Sequence, residues 1–122
     1  MPGYTLETQV SYQPQMAIIK MAGEINGFAE EALNRAYAEA ERSTNAYIML
    51  NFTSVKYMNS TGIALIVGVL GQARRSGKKL LACGLSPHFV EIFQITRLSD
   101  FIKIYPDELS IFTDPDLAIK IS

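Results

Sequence analysis

A chain of 122 residues with 48% hydrophobic and 19% charged side chains has the composition of one compact folded domain, not of a disordered segment. Its net charge of −1 supplies no basic field for phosphate backbones, which argues against nucleic acid as a partner. One cysteine, Cys83, allows no internal disulfide, and one cysteine with one histidine cannot build a Cys/His zinc site.

Residues 4–12, YTLETQVSY, alternate: Tyr4, Leu6, Thr8, Val10 and Tyr12 on one side, Thr5, Glu7, Gln9 and Ser11 on the other. That period predicts a half-exposed strand. Gln13-Pro14-Gln15 is a turn, and residues 16–22, MAIIKMA, form a second strand that pairs with the first as a hairpin. Gly23–Gly27 reads as a loop before a helix from about Phe28 to Arg42, whose Ala29, Leu33, Ala36, Tyr37 and Ala40 share one face. Residues 46–52, AYIMLNF, are apolar without strict alternation, as in a parallel strand buried on both faces.

Tyr57-Met58-Asn59-Ser60-Thr61-Gly62 then turns into a helix over 61–76, with Gly77 as its stop. Ile63, Ile66, Val67 and Leu70 make its core stripe, and Leu65, Gly68, Val69 and Gln72 lie elsewhere on it. KLLAC, 79–83, is another buried strand, in which Cys83 reads as a core thiol. Ser86 caps a short helix with Pro87 in its first position. Residues 101–105, FIKIY, make a last strand, and a helical turn follows over 106–113; the tail 114–122 has no clear pattern. The order β-β-α-β-α-β-α-β-α predicts a single α/β domain over 1–122. Its sheet has about five strands, mixed but mostly parallel, with an opening hairpin and helices packed on it.

Enzyme motifs fail on inspection. Gly71-Gln-Ala-Arg-Arg-Ser-Gly77-Lys78-Lys79 is not a P-loop: five residues separate the glycines instead of four, and it follows a helix. Ser60 lies in no G-x-S-x-G elbow, and His88 reads as solvated or capping. The chain therefore reads as a non-enzyme without cofactor or metal. Arg74, Arg75, Lys78 and Lys79 read as a solvated helix end that complements the helix dipole. MPGYTLETQ has no signal pattern and no apolar run is long enough to span a bilayer, so the expected location is cytoplasmic, with no membrane contact.

The polar turn calls for more than capping. Asn59, Ser60 and Thr61 are each good N-caps, yet a helix needs one. The turn lies at the carboxyl edge of the predicted sheet, where open α/β folds carry functional loops. A phosphoryl group on Ser60 would bring about −1.5 to −2 charges to a helix start, where the dipole favours an anion.

These residues resemble the STAS domain, found in anti-sigma factor antagonists and in sulfate transporter tails. The likeness runs from about Tyr4 to Thr113 and is densest in Ile48–Phe52 and Tyr57–Gly62; Gly23-Glu24-Ile25 is similar to a Gly-x-Leu segment of the family. Antagonists of this family carry Asp-Ser-Ser/Thr-Gly at the turn. The resemblance implies that Ser60 is the phosphate acceptor, with Thr61 as a second candidate. It also implies that Glu24, Asn26, Met58, Asn59, Ser60, Thr61, Ile63 and Leu65 meet a partner. That partner is an anti-sigma factor that is also a serine kinase: binding frees the sigma factor, phosphorylation ends binding, and a phosphatase resets the switch. Asn59 and Asn51 stand where the family commonly has Asp, which removes two negative charges near the site. The alternative reading is a non-phosphorylated STAS scaffold module of a multi-protein signalling complex, with copies of itself or other STAS proteins as partners.

Overall fold

The computed structural model describes residues 5–117. Tyr4 of the predicted first strand and residues 118–122 of the tail lie outside the described residues. Strands β1 (Leu6–Gln13), β2 (Met16–Ile25), β3 (Tyr47–Met58), β4 (Lys79–Cys83) and β5 (Lys103–Tyr105) form one sheet in the order β1-β2-β3-β4-β5. β1 and β2 are the expected hairpin, antiparallel with Gln13 opposite Met16, and the remaining neighbours are parallel. Helices α1 (Glu30–Glu41), α2 (Ser60–Arg75) and α3 (Pro87–Ile95) make the three crossovers. The strand order advances without reversal, so crossovers of one hand put all three helices on the same face.

The apolar runs that failed to alternate are explained by two cores. Ile19, Ile48, Leu50, Phe52, Leu80 and Ala82 face the helices, packed with Leu33 and Tyr37 of α1, Ile66 of α2 and Phe93 of α3. Phe52 meets Phe89 and Phe93 edge-on, with ring centroids 6.4 and 5.7 Å away. Such pairs add about 0.5–1.5 kcal/mol each beyond the area they bury. The alternate residues Met16, Ile18, Met49, Leu81 and Cys83 face the other side, under Ile111 and Leu117 of the C-terminal segment. The Cys83 thiol is buried there and pushed up to about 12, by burial first and then by Glu108 and Asp107. It is an inert core thiol, as expected.

That C-terminal segment is tied down by polar bonds. The Tyr47 hydroxyl donates to the Leu117 carbonyl at 2.9 Å, and Asn51 Nδ2 donates to Glu108 Oε2 at 2.6 Å. Asp114 accepts from the Tyr105 hydroxyl at 2.6 Å and pairs with Lys103 Nζ at 2.6 Å.

Five expectations are corrected. Residues 23–25 are strand, not loop, because β2 stays paired with β3 through Ile25↔Met58. β3 likewise continues past residue 52 to Met58. On α2, Val67 is 49% exposed and Val69 is 2% exposed, so the core stripe is Ile66, Val69, Leu70 and Ala73. With Gly62 against the sheet, this row repeats at the three- and four-residue steps of a helix, and Val67 falls outside it. The last strand keeps three residues, Lys103–Tyr105, because Leu98–Asp100 form a 3-10 turn that carries Phe101 and Ile102 out of the sheet. The basic cluster is only partly solvated: Arg74 lies over the Phe101 ring at 5.1 Å, and Lys78 Nζ donates to the Ser43 and Asn45 carbonyls at 3.0 and 2.5 Å.

Candidate functional site at the start of the second helix

β2 and β3 run in parallel, and directly after each an asparagine caps the next turn of the chain. Asn26 Oδ1 accepts from the Phe28 N–H at 2.9 Å and opens the 3-10 turn Gly27–Ala29. Asn59 Oδ1 accepts from the Gly62 N–H at 2.9 Å and opens α2. The two turns are neighbours. The Asn59 N–H donates to the Ile25 carbonyl at 3.3 Å, and α2 enters so close to β2 that a Cβ on Gly62 would lie 1.9 Å from that same carbonyl oxygen. Gly62 is thus fixed by close approach, and no larger residue fits without moving the helix start.

The three consecutive polar residues now separate by role. Asn59, half-buried, is the cap. Ser60 and Thr61 are exposed on the first turn, and among the described residues no hydrogen bond holds the Ser60 hydroxyl. An oxygen in this state is free to be modified. A carboxylate caps a helix as well as an amide does, so Asn59 in place of Asp keeps the local structure and removes only the charge.

The other sequence-predicted site residues are placed unevenly. Glu24 and Asn26 are half-buried beside the turn, with Asn26 Nδ2 donating to Glu24 Oε1 at 3.4 Å. Ile63 and Leu65 are half-buried and packed against the main core, with one edge outward. Met58 is corrected outright as a contact: it is 5% exposed and points into the core, because Tyr57 takes the outward position of β3. Sequence reasoning missed Phe28, which is 85% exposed on the turn that abuts Thr61. The signal was present: Phe28 falls off the Ala29–Leu33–Ala36–Ala40 stripe, and a large aromatic off the stripe has nowhere to be buried. Ala64 and Val67 were missed because the core face of α2 was misplaced, whereas Gly68, read as lying off that face, is exposed. The resulting surface has a free hydroxyl at its centre and small or apolar groups around it. Among the described residues no cluster of His, Cys, Asp and Glu could hold a metal ion.

This architecture is shared. A family model, the STAS domain, matches residues 7–110. The chain belongs to the STAS domain family. The anti-sigma-B factor antagonist of Listeria monocytogenes is 33% identical over 86 residues, covering 70% of this chain and 75% of that protein. Among solved structures, an anti-sigma factor antagonist from Mycobacterium paratuberculosis superposes with a TM-score of 0.75 at 16% identity, covering 88% of this chain and 92% of that one. The Bacillus cell fate determinant SpoIIAA in its phosphorylated form gives 0.67 at 20% identity, covering 88% and 98%. At such identities the structural likenesses establish the fold. No helix among the described residues is long and apolar enough to cross a membrane.

Proposed function

We propose that this STAS domain is an anti-sigma factor antagonist. It binds an anti-sigma factor that is also a serine kinase, releases the sigma factor, and is switched off by phosphorylation of Ser60. The observation that carries this reading is the exposed, unbonded Ser60 hydroxyl on the first turn of a helix whose start is held by Asn59 and Gly62. The names of the relatives support the antagonist role. In the step itself, Ser60 Oγ attacks the γ-phosphorus of ATP, the bond to ADP breaks, and the hydroxyl proton passes to a base on the kinase. The kinase also supplies the nucleotide and metal, in keeping with the failed nucleotide motif. The added dianion sits where the α2 dipole favours it, so the fold tolerates it while the docking surface acquires a strong charge.

The test mixes the purified chain with the anti-sigma factor kinase encoded in the same genome, with and without ATP. Complex formation without ATP, and release with one phosphate on Ser60 when ATP is added, is the expected result. An active kinase that binds but leaves Ser60 unmodified would sink the switch. The second reading, an unphosphorylated scaffold, draws on the missing charge at Asn59 and on the apolar surface of Phe28 and Val67. Equal binding of Ser60→Glu and wild type would favour it.

A further inference from the structure

The two edge strands of the sheet differ. β5 is three residues long and carries Lys103, and a short, lysine-bearing strand is a poor template for further pairing. β1 runs for eight residues, pairs with β2 without a shift of register, and contains no lysine, arginine or proline. Its only charge is Glu7. Pro14 and Gln15 form a two-residue turn closed by Gln13 and Met16, and the closing pair of such a hairpin is hydrogen-bonded. Counting back from Gln13, the backbones of Ser11, Gln9 and Glu7 bond to β2, and those of Tyr12, Val10, Thr8 and Leu6 point away from it. Among the described residues no backbone hydrogen bond reaches that outer row.

α1 lies beside this edge and runs in the direction of β1. Thr8 and Arg35 line one cleft at the edge, and Tyr12, Glu39 and Arg42 line the next. The Tyr12 hydroxyl donates to the Glu39 carbonyl at 3.4 Å. Arg35, Glu39 and Arg42 are exposed, so charge alternates along the helix next to the open strand. Arg35 is paired with Glu31 alone, and an exposed pair of that kind yields readily to a second carboxylate. No described ion pair engages Glu39 or Arg42.

From these observations we infer that a second copy of the chain occupies the β1 edge. A two-fold axis through Val10, perpendicular to the sheet, pairs the two strands antiparallel. Val10 meets its counterpart and Thr8 meets the partner's Tyr12. On the opposite face Glu7 lies against the partner's Gln13 and Gln9 against the partner's Ser11, so no like charges oppose each other across the strands. Because Arg35 stands beside Thr8 and Glu39 beside Tyr12, the same axis brings Arg35 toward the partner's Glu39 and Glu39 toward the partner's Arg35. The edge is complementary to itself in backbone and in charge, which is what a two-fold contact between identical surfaces requires. The two Ser60 turns then lie at opposite ends of one continuous sheet, since antiparallel pairing reverses the partner's β2 and β3. The inference does not rest on the functional reading above.

The test is sedimentation velocity on the purified chain up to millimolar concentration, joined to residue-resolved amide hydrogen exchange. A dimer in which the Thr8, Val10 and Tyr12 amides gain about tenfold or more in protection as concentration rises supports the inference. A chain that stays monomeric at millimolar concentration overturns it. So does a dimer whose added protection falls on 26–29 and 59–67, since the occupied surface is then the one beside Ser60. Charge exchange tests the placement of α1. Arg35→Glu sets glutamates against each other across the axis and should raise the dimer Kd by about tenfold, and Glu39→Arg should do the same with arginines. The two substitutions combined should return the Kd to within about threefold of wild type. Single variants that dimerise like wild type, or a double variant weaker than either single, overturn the pairing. Both positions are exposed and off the buried face of α1, so the variants should keep the fold, which circular dichroism checks.

Discussion

At the scale of single residues, Asn59 holds the cap and Ser60 is the proposed phosphate acceptor, and variants separate the two. Asn59→Ala removes the acceptor for the Gly62 N–H and should cost about 1 kcal/mol in chemical denaturation. Asn59→Asp keeps that bond and should unfold at the wild-type midpoint or slightly above, since a carboxylate suits a helix start. Ser60→Ala, at a site with no described hydrogen bond, should leave the midpoint within about 0.5 kcal/mol and abolish phosphate incorporation. A loss from Ser60→Ala as large as that from Asn59→Ala would mean that the hydroxyl, not the amide, caps α2. Gly62→Ala is the severe change at this turn. Its Cβ meets the Ile25 carbonyl, so the helix start must shift, at about 1–3 kcal/mol. Thermal unfolding would read it directly.

At the scale of elements, the C-terminal segment depends on charges that the sequence did not reveal. Asn51 looked like a lost carboxylate near the functional turn. In the fold its Nδ2 donates to Glu108, 57 positions away, while its Oδ1 accepts from the Thr53 N–H at 2.9 Å. An aspartate there would place two carboxylates in contact. Asn51→Asp should therefore loosen residues 106–117 at neutral pH and recover below about pH 4, where carboxylates protonate. Asp114 has the opposite dependence. Lys103 first, then Tyr105, hold its carboxyl down from 3.8 to about 2. A depressed folded-state value contributes stability above the unfolded value and loses it as pH falls through the folded one. The segment should loosen between about pH 4 and 2, visible in tyrosine fluorescence, and Asp114→Asn should flatten that transition. These two residues show where reading a sequence stops. Periodicity identified the hairpin, the α1 face and the buried strands, because each is a local repeat of apolar residues. It could not see that β2 and β3 extend through Gly23-Glu24 and Thr53-Ser54-Val55-Lys56, where pairing across strands overrides a polar, loop-like composition. Nor could it see contacts such as Asn51–Glu108, which exist only once β3 and the tail meet.

At the scale of the whole molecule, the proposed function assigns stability and recognition to different surfaces. The helices close one face of the sheet and the C-terminal segment covers apolar residues of the other, and the outward side chains of the turns at the ends of β2 and β3, Phe28, Ser60 and Thr61, lie outside both cores. Phe28 makes the separation testable. With 85% of its surface exposed, its removal forfeits almost no buried area, and Phe28→Ala should leave the unfolding midpoint within about 0.5 kcal/mol. In a complex centred on Ser60 the same ring becomes a desolvated aromatic anchor, a residue class that commonly carries about 2 kcal/mol or more of binding. Affinity for the anti-sigma factor kinase should therefore fall by about thirtyfold, measured by calorimetry on protein shown to be folded. Ser60→Glu should act differently. It places charge at the centre of the contact, so its effect should shrink at high salt, whereas the Phe28→Ala loss should not. If both losses vanished in salt, the surface would be held by charge alone. If Phe28→Ala had no effect, the partner would dock elsewhere than on the face shared by the two capped turns.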